Sequence, residues 1–222
     1  MAVRKISEYG NSFIGLYGAT NDKVTLVSRG ASEALVNACS AVLGTDVVKF
    51  GIGASGLIGI FAAMNSNGIV LPGLVSAREL GELDKLGVKY AVIRGRLTAL
   101  GNNVVANSNG ALVNPRMSRQ SIEKIGACLG VDVYQSAVAG HETVGAVCVA
   151  TDKGFLVHND ASEEDVSFLE KVFGVQGNIG TINMGVPFVK LGMIANSKGY
   201  LIGEATSGFE AARVDEALGF LE

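Results

Sequence analysis

The chain has 222 residues, 48% of them hydrophobic and 18% charged, with a formal net charge of −3 at neutral pH and a sequence pI of about 5.5. That apolar supply fills a sizeable core, and the lack of a basic excess argues against binding carried mainly by neutralised phosphates. No apolar run reaches the roughly 18 residues of a membrane-spanning helix. The opening Met1-Ala-Val-Arg-Lys-Ile-Ser-Glu8 has no apolar stretch of secretory type, so the expectation is a cytoplasmic protein with no membrane partner.

In chain order the first element is a short strand candidate, Ala2-Val-Arg-Lys-Ile6, with no partner nearby in sequence. A pattern then begins that returns five times. The turn Ala19-Thr-Asn-Asp-Lys23 precedes the apolar run Val24-Thr-Leu-Val27. The later copies are Asn65-Ser-Asn-Gly68 before Ile69-Val-Leu71, Asn107-Ser-Asn-Gly110 before Ala111-Leu-Val113, Thr151-Asp-Lys-Gly154 before Phe155-Leu-Val157, and Asn196-Ser-Lys-Gly199 before Tyr200-Leu-Ile202. Equivalent positions are spaced by 45, 42, 44 and 45. Asn, Asp and Gly accept the positive φ angles of tight hairpins, so each copy reads as strand, turn, strand.

A helix follows in each unit. Ser162-Glu-Glu-Asp165 and Ser207-Gly-Phe-Glu210 have the spacing of capping boxes. Leu80, Leu83 and Leu86, and again Ile122, Ile125 and Leu129, recur at helical spacing. An apolar residue and a glycine then end the helix at Leu43-Gly44, Leu86-Gly87, Leu129-Gly130, Phe173-Gly174 and Leu218-Gly219. A third strand comes next, as in Asp46-Val-Val-Lys-Phe50, Tyr90-Ala-Val-Ile93 and Asp132-Val-Tyr-Gln-Ser136. Another apolar-glycine pair precedes each first strand: Ile14-Gly15, Ile58-Gly59, Leu100-Gly101, Val144-Gly145 and Leu191-Gly192. The unit is β-β-α-β, and five of them, each about 44 residues long, account for residues 1–222 as one α/β domain with fivefold pseudo-symmetry. Unit five lacks a third strand. The N-terminal strand candidate would supply it and close the ring, leaving no open edge to pair with a second copy, so a monomer is expected.

Chemistry-bearing residues are sparse. Cys39, Cys128 and Cys148 are too far apart for a metal site or disulfide framework and read as buried thiols, with Cys148 inside a strand, Ala146-Val-Cys-Val149. His141 and His158, the only histidines, read as surface loop residues without ligand spacing. The glycine-rich Gly51-Ile-Gly-Ala-Ser-Gly56 looks like a phosphate loop, but it runs into Leu57-Ile-Gly-Ile-Phe61, read as a first strand, and not into a helix. No cofactor, metal or catalytic constellation is expected.

The opening Met1-Ala-Val-Arg4, Ile14-Gly15, Arg96-Leu-Thr-Ala-Leu-Gly-Asn102, Ala111-Leu-Val-Asn-Pro115, Gly154-Phe-Leu-Val-His158 and Gly180-Thr-Ile-Asn183 together resemble the translation initiation factor 6 family, in its archaeal form. The resemblance implies a fivefold α/β propeller of the pentein type, closed by its N-terminal strand. It implies binding to the large ribosomal subunit on the face that meets the small subunit, beside the sarcin–ricin loop and its ribosomal proteins, with local rRNA contact. Joining is then blocked by occupied space, not by catalysis, and a translocation-type GTPase is implied in release. Contact residues carried over from the family fall on Leu57, Ile60, Asn102 and Val147, at the starts of first strands, with Arg96 added as a cation beside them. Ile60 stands where eukaryotic members carry an arginine. The alternative from another class is a guanidine-modifying enzyme of the same fold, which would need a reactive cysteine in the central pore.

Overall fold

The structure, a computed structural model, describes residues 3–221. Ala2, the first residue of the expected N-terminal strand, lies outside them.

Local chemistry makes the elements. Each hairpin turn opens with a residue whose side-chain oxygen accepts from two amides further along the turn. Asn65 Oδ1 takes Asn67 N and Gly68 N at 3.0 and 3.2 Å, and Asn107 and Asn196 repeat the pattern. Helices Glu33–Leu43, Ala77–Lys85, Arg119–Leu129, Glu163–Phe173 and Gly208–Ala217 each start behind a serine whose hydroxyl accepts an N3 amide. The two boxes expected from sequence form, and Ser76–Glu79 adds a third. Helix one, poor in strong helix signals, is secured by its Ser32 cap and a buried stripe of Leu35, Ala38, Cys39, Val42 and Leu43. Gly44, Gly87, Gly130, Gly174 and Gly219 close the helices at φ between 57° and 69°.

Among the described residues the strands form five three-stranded sheets. In each, a first strand pairs antiparallel with the second, and the second pairs parallel with the third. The N-terminal strand Val3–Ile6 completes unit five: it runs parallel to Tyr200–Gly203 with Val3 opposite Tyr200 and Ile6 opposite Gly203. The first strands Gly18–Thr20, Ala63–Asn65, Val104–Ala106, Cys148–Ala150 and Met193–Ala195 line one central pore. This is the pentein-type propeller. Its apolar cores lie between neighbouring units. Helix one packs on the unit-five strands as well as its own third strand, and the core there joins Ile6, Leu35, Leu43, Ile194 and Leu201. No unit buries its helix stripe without its neighbour, so the ring is stabilised as a whole.

Two expectations need correction. Leu57-Ile-Gly-Ile-Phe61 is not a strand. Ile58–Phe61 is one helical turn, matched by Ile14–Leu16, Leu100–Asn103, Val144–Val147 and Val189–Gly192, and the first strands begin only after these turns. Accordingly Cys148 opens a strand instead of lying within one. The residue before each turn sits near φ −80°, ψ +65°, which aims the following residues across the ring mouth. The turns touch one another around the ring. A Cβ at Gly59 would collide with the Gly15 carbonyl, at Gly101 with that of Gly59, and at Gly145 with that of Gly101.

The second correction concerns unit five. The buried apolar residue that opens each turn is Ile14, Ile58, Leu100, Val144 or Val189. The residue equivalent to the packing glycines is therefore Lys190, not Gly192, and it is the Lys190 carbonyl that a Cβ at Gly15 would meet. Four glycines and one lysine close the ring.

Candidate functional site

The strand directions put different chemistry at the two ends. Hairpin turns and helix C-termini gather at one end. Helical turns, the linkers that precede them and the helix N-termini gather at the other.

At the helical-turn end the linkers are locked to the helices by carboxylates. Glu79 accepts Gly53 N and Ala54 N at 3.2 and 3.3 Å. Glu210 accepts Met184 N and Gly185 N, Asp165 accepts Ala139 N, and Glu8 accepts both the amide and hydroxyl of Ser32. The glycine-rich segment at residues 51–56 thus does cradle an anion, and the anion is the protein's own Glu79. Burial works against the Glu79 charge, but hydrogen bonds from Ser76, Ala54 and Gly53 outweigh it and hold the carboxyl below its ordinary range. Glu210 is held low against its burial in the same way, by Ser207, Gly185 and Thr181.

Unit three breaks the pattern. Its helix carries Ser121 at the N3 position, and the facing linker carries Arg94 and Arg96 instead of a carboxylate-bound turn. Both arginines are exposed and make no ion pair among the described residues. Arg96 borders a cavity of about 290 Å³ that is also lined by Leu97, Arg116 and Met117.

Inside this rim the turns present apolar side chains. Leu57 is 38% exposed, and Leu16, Ile60 and Leu191 occupy equivalent half-buried positions. Phe13 and Phe188 stand before their turns as Leu57 does. Tyr9 and Met184, 79% and 76% exposed, top two of the linkers at positive φ. Such a concentration of exposed apolar area is unlike the scattered apolar residues of an ordinary surface.

A model of the eIF-6 family matches residues 3–217. The chain belongs to the eIF-6 family. Full-length relatives named translation initiation factor 6 include one from Thermococcus onnurineus, 36% identical with all of both chains covered. Another, from Saccharolobus islandicus, is 38% identical over 99% of this chain and 100% of the relative. A third, from Methanosarcina mazei, is 36% identical over the same shares. The archaeal resemblance read from the motifs agrees with them. Among solved structures, a dimethylarginine dimethylaminohydrolase in adduct with S-methyl-L-thiocitrulline is 8% identical with a TM-score of 0.50, covering 93% of this chain and 73% of that one. That likeness concerns the fold alone.

Within this eIF-6 family chain, Leu57, Ile60 and Asn102 come together on the helical turns, with Arg96 in the linker just before the unit-three turn. They precede the first strands; they do not start them. Val147 ends its turn fully buried in the unit-three/unit-four core and has no exposed side chain to offer a partner. Asn102 N donates to Ala99 O at 3.0 Å, but the buried side-chain Oδ1 has no hydrogen-bond partner. Linker residues Tyr9 and Met184 were missed because an exposed turn tip carries no periodic signal.

The reading of His158 as a surface residue also changes, while His141 sits half-buried in its linker turn. His158 ends a second strand and is buried; its ring lies 4.9 Å from His141 and 5.9 Å from Phe188. Burial, then His141, lowers its pKa. All three cysteines are buried. Burial, with a smaller push from Glu8, takes the Cys39 thiol up to about 12, and burial raises Cys128 and Cys148 too. None is a thiolate at neutral pH. Among the described residues no helix is long and apolar enough to cross a membrane.

Proposed function

We propose that residues 1–222 act as one cytoplasmic, monomeric domain that binds the large ribosomal subunit at its subunit-joining face and prevents association with the small subunit by occupying that space. The observation that carries this reading is the helical-turn end: a group of half-exposed apolar side chains on units one, two and five, beside the unpaired Arg94 and Arg96 of unit three, in a family whose members are named translation initiation factors.

Leu57 and Ile60 dock against ribosomal proteins beside the sarcin–ricin loop, where apolar burial contributes about 25 cal/mol per Å² removed from water. Arg96 meets an rRNA phosphate or an acidic protein end at the open joint of unit three. On docking, the Asn102 side chain turns so that its Oδ1, buried and unsatisfied in the free protein, accepts a donor from the partner, which removes the cost of leaving it unsatisfied. Release falls to a translocation-type GTPase. No cofactor, metal or catalytic step is needed, and the thiols held protonated by burial speak against the guanidine-modifying alternative.

The test is sedimentation of purified protein with large subunits, followed by addition of small subunits. Travel with the large subunit and a lowered yield of joined ribosomes is the expected result. Protein that stays at the top of the gradient at low salt removes the proposal.

A further inference from the structure

Lys190 is the one long side chain placed where the other units have a packing glycine. It lines the pore together with Cys148 and the five first strands. The pore volume near it is about 50 Å³. A water-sized occupant needs roughly 10–15 Å³ on this measure, so the space holds a small ion with a water or two and excludes a nucleotide, a sugar or an organic acid.

Lys190 is half-buried, its side chain lines the pore, and it has no counter-charge there. Its Nζ makes no hydrogen bond and no ion pair among the described residues. Every other pore-lining residue here is uncharged, and Cys148 keeps its proton because burial raises its thiol. Burial lowers the lysine to about 8, which still leaves it cationic at neutral pH. A cation in a narrow pore walled by uncharged residues is less well hydrated than in bulk water, and loss of its proton or an anion beside it relieves that cost.

We propose that the pore binds a small monovalent inorganic anion, of the size of chloride or bromide, against Lys190 Nζ. The anion pairs with the lysine at the centre of the closed ring and so ties ring stability to halide. It enters from the hairpin-turn end, because the helical turns pack shut at the other.

The experiment measures thermal unfolding of the full chain in sodium gluconate, chloride and bromide at fixed ionic strength. Gluconate is too large for the pore and serves as the reference. At pH 7 the melting temperature should rise by several degrees with halide and saturate, as mass action on the folded state requires. The rise should vanish at pH 10, where Lys190 is neutral, and in Lys190→Met, which keeps the apolar stem. Crystals soaked in bromide should show an anomalous peak beside Lys190. Equal melting temperatures in gluconate and halide at pH 7, or a halide effect that survives at pH 10 or in the methionine variant, would overturn the proposal. The wild-type pH comparison and the bromide soak decide the matter even if Lys190→Met fails to fold.

Discussion

The two ends of the ring use the same repeat for opposite purposes. At the hairpin-turn end, polar groups satisfy one another. Asn196 Nδ2 donates to Asn21 O, Asn21 Nδ2 to Asn65 O, Asn65 Nδ2 to Asn107 O and Asn107 Nδ2 to Thr151 O, at 2.7–3.1 Å. Three of these amides also reach the C-terminal carbonyls Leu43 O, Leu129 O and Phe173 O, which no intrahelical donor can satisfy. At the helical-turn end, Asn102 Oδ1 is left without a partner, Arg94 and Arg96 lack counter-ions, and Leu57, Tyr9 and Met184 face outward. A surface that completes its own hydrogen bonds holds the ring together. A surface that leaves them incomplete is suited to a partner.

The comparison breaks most completely if closure is lost. Deleting residues 1–6 removes the third strand of unit five and opens the core containing Ile6, so cooperative thermal unfolding should disappear; a native-like transition would mean that closure is dispensable. Gly101→Val drives a side chain into the Gly59 backbone, and a loss of about 3–5 kcal/mol in urea unfolding is expected. Asn107→Ala, at the belt, leaves the Thr151 carbonyl without its side-chain donor, the Phe173 carbonyl with Asn109 Nδ2 alone, and the turn amides of Asn109 and Gly110 without their acceptor, and should cost about 2–4 kcal/mol by the same measurement.

Acid should act in two stages. His158 has a folded pKa below its unfolded value, near 6.5, so stability begins to fall as pH drops through that value and stops falling below the folded one. Glu79 and Glu210, also depressed, contribute stability that is present above about 4.5 and lost as pH falls through their folded values. Melting temperature against pH should show both stages, and His158→Phe should remove the upper one only.

The smallest effects sharpen the contrast. Leu57→Asp, at the exposed end, should change stability by less than about 0.5 kcal/mol while abolishing co-sedimentation with large subunits. Thr151 is the belt's one missing amide, so Thr151→Asn should let a donor reach Asn196 O and gain about 0.5–1 kcal/mol.

Legibility followed the range of the interaction. Turn residues, capping boxes and helix-ending glycines act within a few positions of themselves, so their spacing revealed the unit and its repeat. The N-terminal strand was legible because unit five was one strand short. The helical turns were not. Ile58–Phe61 is apolar and short like a strand, and its helical turn packs so closely on the Gly15 carbonyl of the neighbouring unit that only a glycine fits at position 59. The same blindness put the fifth ring residue at Gly192, since glycine attracts the eye and only the packed ring shows Lys190 in that place. Position in the repeat does not reveal that Val147 is buried by unit three, while Leu57, just before its turn, is left exposed and Asn102 is half-buried.

The sequence by itself determined the repeat, its β-β-α-β content, its capping chemistry and the closing strand, because each rests on local backbone preferences written in neighbouring residues. Only the tertiary structure decided which end satisfies its own polar groups through asparagines, which end leaves apolar and charged side chains exposed, and that a lysine lines the pore, because those facts depend on contacts between units more than 40 residues apart in the chain.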